Sequence, residues 1–208
     1  ECPGLLEVPI VSLEDQSNSS QSSAWVLWVS INPGSPQGGS SVEYFVGDFN
    51  GTHFTALSPH TSFVDQGKDF YAIQAYPYSP YGVVGVAWAS NWQYGLSVPT
   101  DEWRSSMSLF RNFTLAKVPL NPETSILSLV NSPIYSAESR NIIHVSDTVL
   151  SRTSPMSAVL PSHYFTGAVE IIIDWTMSPQ APSMGELNQF TISLSGKNDD
   201  EEFIEMGF

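Results

Sequence analysis

Trp25-Val26-Leu27-Trp28-Val29-Ser30-Ile31, closed by Asn32-Pro33-Gly34, and Tyr44-Phe45-Val46-Gly47-Asp48-Phe49, running through Asn50-Gly51 into Thr52-His53-Phe54, decide the fold class. The first is a β-rich apolar run ended by turn residues, which reads as a buried strand. The second ends in Asn-Gly between strand-like arms, a strong short-range hairpin signal because both turn residues tolerate positive φ. Working outward, runs of the same kind recur at Phe70–Ala75, Val83–Ala89 and Met107–Leu115, while helical periodicity is hard to find. The spacing predicts closely set antiparallel strands, compatible with a propeller or a sandwich.

From Lys117 to Arg152 the composition turns Ser-rich and Pro-broken, and Tyr135 is its one aromatic residue. A domain boundary is expected near residue 117. Beyond it, Ala168–Thr176 and Gln189–Ser195 read as further strands, and the acidic run Asp199-Asp200-Glu201-Glu202 as a solvated loop.

The 208 residues are 41% hydrophobic, and the 14 Gly bring the share into the range of globular domains. The apolar run Val83–Ala89 falls far short of the roughly 20 residues of a spanning helix. Only 13% of residues are charged, yet 21 acids face 7 bases for a net charge of −14. That field repels phosphate backbones and anionic headgroups, so no nucleic-acid partner and no membrane partner are expected, and neutral ligands are favoured. The single cysteine, Cys2, excludes an intrachain disulfide and a multi-cysteine metal site. The four histidines, His53, His60, His144 and His163, lack metal-ligand spacing, so no metal is expected. Asn-X-Ser/Thr sequons at Asn18, Asn50 and Asn112 would suit a secreted glycoprotein.

One stretch carries recognisable chemistry. Glu1-Cys2-Pro3-Gly4-Leu5 resembles the Glu-Cys-Pro motif of glycoside hydrolase family 32, the β-fructofuranosidases. Five further stretches follow in the family's order: Ser30–Gly34, Tyr44–Gly51, Asp65–Ala72, Trp88–Trp92 and Trp103–Ser108. The resemblance is dense over residues 1–115; the clearest later echoes are Asp200-Glu201-Glu202 and Met206-Gly207-Phe208.

The resemblance implies an all-β fold: residues 1–117 as the C-terminal part of a five-bladed β-propeller, about two and a half blades, and 118–208 as the start of a β-sandwich. It implies a retaining β-fructofuranosidase acting on sucrose and inulin-type fructans with no organic cofactor, found outside the cell, with a homo-oligomer open for the intact enzyme. Glu1 would be the general acid/base. Cys2 would modulate it, and Asn32, Asp65, Lys68, Trp88 and Trp92 would contact substrate. Read without the family, Asp65 and Lys68 form a salt bridge across the Gly67 turn, Asn32 caps a turn, and both tryptophans pack in the core. Retaining chemistry also needs a carboxylate nucleophile roughly 5–5.5 Å from the acid/base. The family supplies it, and a third, stabilising Asp, from Asn-Asp-Pro and Arg-Asp-Pro motifs that precede Glu-Cys-Pro. The chain contains no Asp-Pro dipeptide, so it reads as an internal fragment, inactive alone, with its natural N-terminus upstream. The alternative is a non-catalytic secreted sugar-binding or interaction protein that kept part of the pocket.

Overall fold

Alternation between inward and outward side chains is clearest in the strand Ser23–Ile31, whereas Gly82–Ala89 is buried along most of its length. The structure, a computed structural model, describes residues 1–12, 22–119, 123–135, 191–195 and 203–207. The regular elements among them are strands, which agrees with the all-β expectation. Among the described residues no helix is long and apolar enough to cross a membrane.

The first antiparallel run is β1 (Gly4–Val11), β2 (Ser23–Ile31), β3 (Ser41–Phe49) and β4 (Phe54–Ala56), with the short β5 (Ser62–Phe63) also pairing with β3. In β2 the period of two turns Val26, Trp28 and Ser30 inward. The second run is β6 (Tyr71–Ser79), β7 (Gly82–Ala89), β9 (Arg111–Pro119) and β10 (Ser125–Pro133), with β8 (Ser106–Met107) pairing with the end of β7. A parallel contact of Ile10 and Val11 with Leu115 and Ala116 joins the two runs. Each is a four-stranded antiparallel sheet, the repeating unit of a propeller.

Two such sheets are present among the described residues, and each takes more chain than the roughly 40–45 residues of a common blade. The connection at 90–105 adds to the second sheet, and with the connection at 57–70 it carries Lys68, Asn91 and Trp92, which enter the site described below. The compositional shift near residue 117 falls inside β9, and β10 adds a further strand to the same sheet. Farther on, β11 (Thr191–Ser195) pairs with β12 (Phe203–Gly207) as an antiparallel hairpin, where the sequence predicts a strand over Gln189–Ser195. The expected strand Ala168–Thr176 and the acidic run Asp199–Glu202 lie outside the described residues.

The core forms from Val8, Val26, Trp28, Tyr44, Phe70, Ile73, Phe113 and Leu115, among others, drawn from both sheets. Trp28 and Phe113 meet with ring centroids 5.7 Å apart. Gly4 is required beneath Trp28, since a Cβ there would stand 2.2 Å from the indole nitrogen.

Two local expectations are corrected. The Asn50-Gly51 hairpin exists, but its loop has four residues and the first pair beyond it is Phe49 with Phe54. Asn50 Oδ1 accepts from the backbone of Thr52 and of His53 at 3.0 and 2.9 Å, so the side chain closes an Asx-type turn that draws Thr52 and His53 out of the strand. The predicted strand Met107–Leu115 is broken into β8 and β9. Ser108 N donates to Ala87 O at 2.8 Å, and Ser108 Oγ accepts from Ala87 N at 3.0 Å, so one residue takes both ladder bonds of Ala87. The register shifts by one residue there, as in a β-bulge.

Candidate active site

Glu1 stands at the entry to β1, and its backbone is fixed on the end of β2. Glu1 N donates to Ser30 O, and Ser30 N donates to Glu1 O, both at 2.8 Å. From the other sheet Tyr71, the first residue of β6, donates its phenolic hydrogen to Glu1 Oε2. Tyr71 is only 3% exposed. Burial first, then the hydrogen bond to Glu1 and that carboxylate's charge, with a smaller push from Cys2, raise the phenol to about 12. It therefore stays protonated, and a donor, at neutral pH.

Both partners precede a non-glycine residue with left-handed backbone: Cys2 at φ 45° and Ala72 at φ 54°. Such residues cost roughly 1–3 kcal/mol each and persist only where the surroundings hold them. At Ala72 the ladder is irregular, with the register shifting between Tyr71↔Trp88 and Gln74↔Val86. The irregularity falls directly after Tyr71, whose ring meets Glu1.

An aromatic wall adjoins this pair. Trp88, opposite Tyr71 in the ladder, meets it edge-on at 6.1 Å between centroids. Trp92 lies against Trp88 at 4.9 Å and is 45% exposed. Between them in sequence, Asn91 is fully buried and bonds three separate segments. Its Nδ2 lies within bonding distance of the carbonyls of Gly38 and Ser40, both at 3.1 Å, and of Lys68 at 2.9 Å. Its Oδ1 accepts from Ser40 N at 3.2 Å and Gln93 N at 2.8 Å. Gly39 passes so close, at φ 70°, that a Cβ would fall 2.0 Å from Asn91 Oδ1. The Asn32–Ser40 loop, the Lys68 loop and the Trp88–Trp92 wall are thereby tied into one body.

The structure treats the remaining sequence candidates differently. Lys68 Nζ, on an exposed side chain, donates to Gln93 Oε1 at 2.8 Å beside the wall. The expected Asp65–Lys68 salt bridge does not form. Asp65 Oδ1 pairs instead with Arg111 of β9 at 2.6 Å, and Oδ2 accepts from Gly67 N at 2.8 Å. The short spacing across Gly67 closes a backbone turn, which leaves the ammonium free to point the other way. Arg111 also lies over the Phe70 ring, 4.1 Å from its centroid, and donates to Asn131 Oδ1. Asn32 is exposed just beyond β2, two residues after the partner of Glu1. Cys2 is half-buried with a free thiol. Asn50 is exposed in its turn, whereas half-buried Asn112 already donates through its amide to Tyr81 O; Asn18 lies outside the described residues.

Glu1, Cys2, Tyr71, Trp88 and Trp92 are therefore brought together, with Lys68 linked to them through Asn91 and Gln93, while Asp65 is committed to Arg111. Sequence reading missed Tyr71, Asn91 and Arg111. An amide flanked by two tryptophans at the end of an apolar run signals a buried polar hub, but nothing in the sequence pairs residue 1 with residue 71. Chemically, a carboxylate held by a protonated phenol beside flat apolar faces suits proton transfer to a neutral, hydroxyl-rich ligand.

Comparison with known proteins agrees. A family model described as the glycosyl hydrolases family 32 N-terminal domain matches residues 1–127. The chain is 52% identical over 140 residues to an invertase of Wickerhamomyces anomalus, covering 66% of this chain and 25% of that protein. It is 40% identical over 215 aligned positions to invertase 2 of Saccharomyces cerevisiae, covering 100% and 39%. To an extracellular exo-inulinase of Meyerozyma guilliermondii it is 51% identical over 137 residues, covering 65% and 25%. Among solved structures, a fructofuranosidase from Schwanniomyces occidentalis complexed with fructose superposes with a TM-score of 0.59 at 53% identity, over 65% of this chain and 25% of that one. The chain spans between 25% and 39% of the length of these relatives.

Proposed function

The chain belongs to glycosyl hydrolase family 32, and from that premise we propose that the whole protein is a retaining β-fructofuranosidase. It would cleave terminal β-D-fructofuranosyl bonds of sucrose and of inulin-type fructans outside the cell. The observation that carries the reading is the Glu1 carboxylate, bonded by the buried phenol of Tyr71 next to the Trp88–Trp92 wall.

In this mechanism Glu1 protonates the leaving glucosyl oxygen while a carboxylate nucleophile attacks the anomeric carbon, and then deprotonates the water that hydrolyses the fructosyl-enzyme. Tyr71 occupies one carboxylate oxygen and so orients the group without competing for the proton, because its own proton stays in place. Trp88 and Trp92 would exclude water from the sugar's apolar face. Asn32 and Lys68 would bind hydroxyls, Lys68 those of the glucosyl side. Cys2 would tune the acid/base through its position beside Tyr71, and Asp65 would act by anchoring the turn that presents Lys68. The nucleophile and the third carboxylate are assigned to Asp-Pro motifs of the family, which these 208 residues do not contain.

We assign both sheets, through β10 at Ser125–Pro133, to the propeller part, which carries the boundary expected at residue 117 beyond that strand, and the chain after it to the opening of the sandwich. The name of the extracellular exo-inulinase relative and the sequons at Asn18 and Asn50 support secretion as a glycoprotein.

Replacing Glu1→Gln in the complete enzyme tests the assignment. The expected loss in kcat is roughly 10²–10⁴, the usual contribution of general acid–base catalysis. An unchanged kcat would reject the role of Glu1. The alternative reading is a sugar-binding protein without turnover. Binding of sucrose by the complete protein with no hydrolysis would establish it.

A further inference from the structure

A concavity opens beside the segment that carries the aromatic wall. Its volume is about 280 Å³, and Asp69, Ser90, Tyr94, Thr100, Trp103 and Ser106 help to line it. That volume lies at the small end of small-molecule sites, the scale of one sugar ring rather than a chain.

Its chemistry is specific. Trp103 is 71% exposed and presents a large flat apolar face at the rim. Tyr94 donates to the Asp69 carboxylate, and burial first, then that bond, push the Tyr94 phenol up, so the pair offers a fixed proton and free acceptor lone pairs. Four aliphatic hydroxyls, those of Ser90, Thr100, Ser105 and Ser106, belong to the lining, and no Lys or Arg contributes. Without a cation, and in a chain of net charge −14, the groove does not suit a phosphate or a carboxylate. An apolar platform faced by acceptors and hydroxyls suits a neutral polyol ring.

The groove and the active site are borne by the same segments of chain. Ser90 and Tyr94 belong to the segment fixed by Asn91 that bears Trp92, and Asp69 lies two residues before Tyr71. Ser105, also in the lining, holds a left-handed φ of 80° and joins Trp103 to β8, which pairs with Trp88 and Ala89. The platform is thus tied to the same strand end as the wall.

We propose that this groove is a further sugar-binding subsite that takes one hexosyl unit of a substrate longer than a disaccharide. Trp103 is its stacking face, and the Asp69–Tyr94 pair is its hydroxyl-binding edge. The proposal rests on the fructosidase reading. It adds a specificity that reading does not contain: preference for longer fructans is set partly by Trp103.

The test compares Trp103→Ala with the unaltered complete enzyme on sucrose and on an inulin-type pentasaccharide. Truncating an aromatic anchor commonly removes more than 1 kcal/mol, so the ratio of kcat/KM for the pentasaccharide to that for sucrose should fall about tenfold. Trp103→Phe, which keeps a stacking face, should restore most of the ratio. An unaltered ratio in both variants overturns the subsite. Calorimetric titration of the pentasaccharide and of fructose into Glu1→Gln protein gives a readout independent of turnover. Weakened pentasaccharide binding in Trp103→Ala with fructose binding retained supports the subsite, and equal affinities overturn it. If the complete protein hydrolyses neither substrate, the fructosidase reading falls, and the titration alone decides the groove.

Discussion

Tyr71 donates its hydroxyl hydrogen to the carboxylate of Glu1 across 70 residues of chain, and each of the two stands directly before a left-handed residue. Neither side chain reaches the other from a regular strand position. The strain at Cys2 and Ala72 is the cost of bringing a carboxylate from one sheet and a phenol from the other to a single point.

Tyr71→Phe in the complete enzyme removes the bond and keeps the ring. A hydrogen bond to a charged group contributes about 1.5–3 kcal/mol, so kcat should fall by roughly 10- to 100-fold. The pH–rate profile should move as well. A purely structural role for Tyr71 would lower stability and leave the profile where it was.

The same phenol makes the fold sensitive to alkali. Its folded value of about 12 is raised above the ordinary tyrosine value of 10.0, so the protonated form is favoured in the native state. The resulting stabilisation is fully present below pH about 10 and is lost as the pH rises toward about 12. Denaturant unfolding of the unaltered protein over that interval should show a loss of stability that is smaller in Tyr71→Phe. Parallel curves for the two proteins would refute this.

Asn91 is the clearest stability target. Asn91→Leu keeps the approximate volume but strips partners from the carbonyls of Gly38, Ser40 and Lys68 and from Ser40 N, and each buried orphan costs about 1–3 kcal/mol. A loss of about 3 kcal/mol or more is expected from urea unfolding, together with weaker turnover, because the loops bearing Lys68 and Trp92 lose their common anchor. A loss below about 1 kcal/mol would show that the hub is not what fixes these loops.

The sheets were legible where hydrophobic pattern and turn chemistry agree. The run at Trp25–Ile31 becomes β2, Val83–Ala89 falls within β7, and Gln189–Ser195 contains β11. Sequence reading overran at Met107–Leu115, because the Ser108 hydroxyl replaces one main-chain ladder bond at Ala87, which apolar periodicity does not register. It also passed over β1, whose residues are half-buried on both faces and so show little alternation. In the site, Glu1, Trp88 and Trp92 were recognised from local motifs. Tyr71 and Arg111 were missed because their partners, Glu1 and Asp65, lie 70 and 46 residues away, a relation set by sheet packing and not by spacing.

The Asp65–Arg111 pair should behave as an anchor and not as a substrate contact. Both side chains are 23% exposed, so screening is partial, and a double-mutant cycle through Asp65→Ala and Arg111→Ala should give a coupling of about 1–2 kcal/mol in stability. The activity lost in Arg111→Ala should match that lost in Asp65→Ala, since either change releases the same turn. A loss in sucrose handling confined to Asp65→Ala would instead place that carboxylate on the sugar.

Lys68 is held by Gln93 and lies apart from the ion pair, which leaves its ammonium with donors to spare beside the wall. Lys68→Ala in the complete enzyme should reduce kcat/KM for sucrose more than for an activated aryl fructoside, whose leaving group lacks glucosyl hydroxyls. The expected change in the ratio is about five- to tenfold, one or two hydrogen bonds' worth. Equal losses on both substrates would remove Lys68 from the substrate side.

The sharpest expectation concerns the 208 residues assayed by themselves. They hold the carboxylate proposed as acid/base, bonded by Tyr71 and bordered by tryptophans, but retaining hydrolysis requires a second carboxylate roughly 5–5.5 Å from the first to form the covalent intermediate. The family's nucleophile sits in an Asp-Pro dipeptide, and none occurs in this sequence. General acid catalysis without a nucleophile leaves the anomeric carbon with no partner in the first step. Incubation of the purified chain with sucrose and with a chromogenic fructoside should therefore release no more product than a Glu1→Gln control. Turnover clearly above that control would mean that a carboxylate within these residues, with Asp65 and Asp69 the nearest in sequence to Tyr71, serves as nucleophile, and the division of roles proposed for Glu1 would have to be redrawn around it.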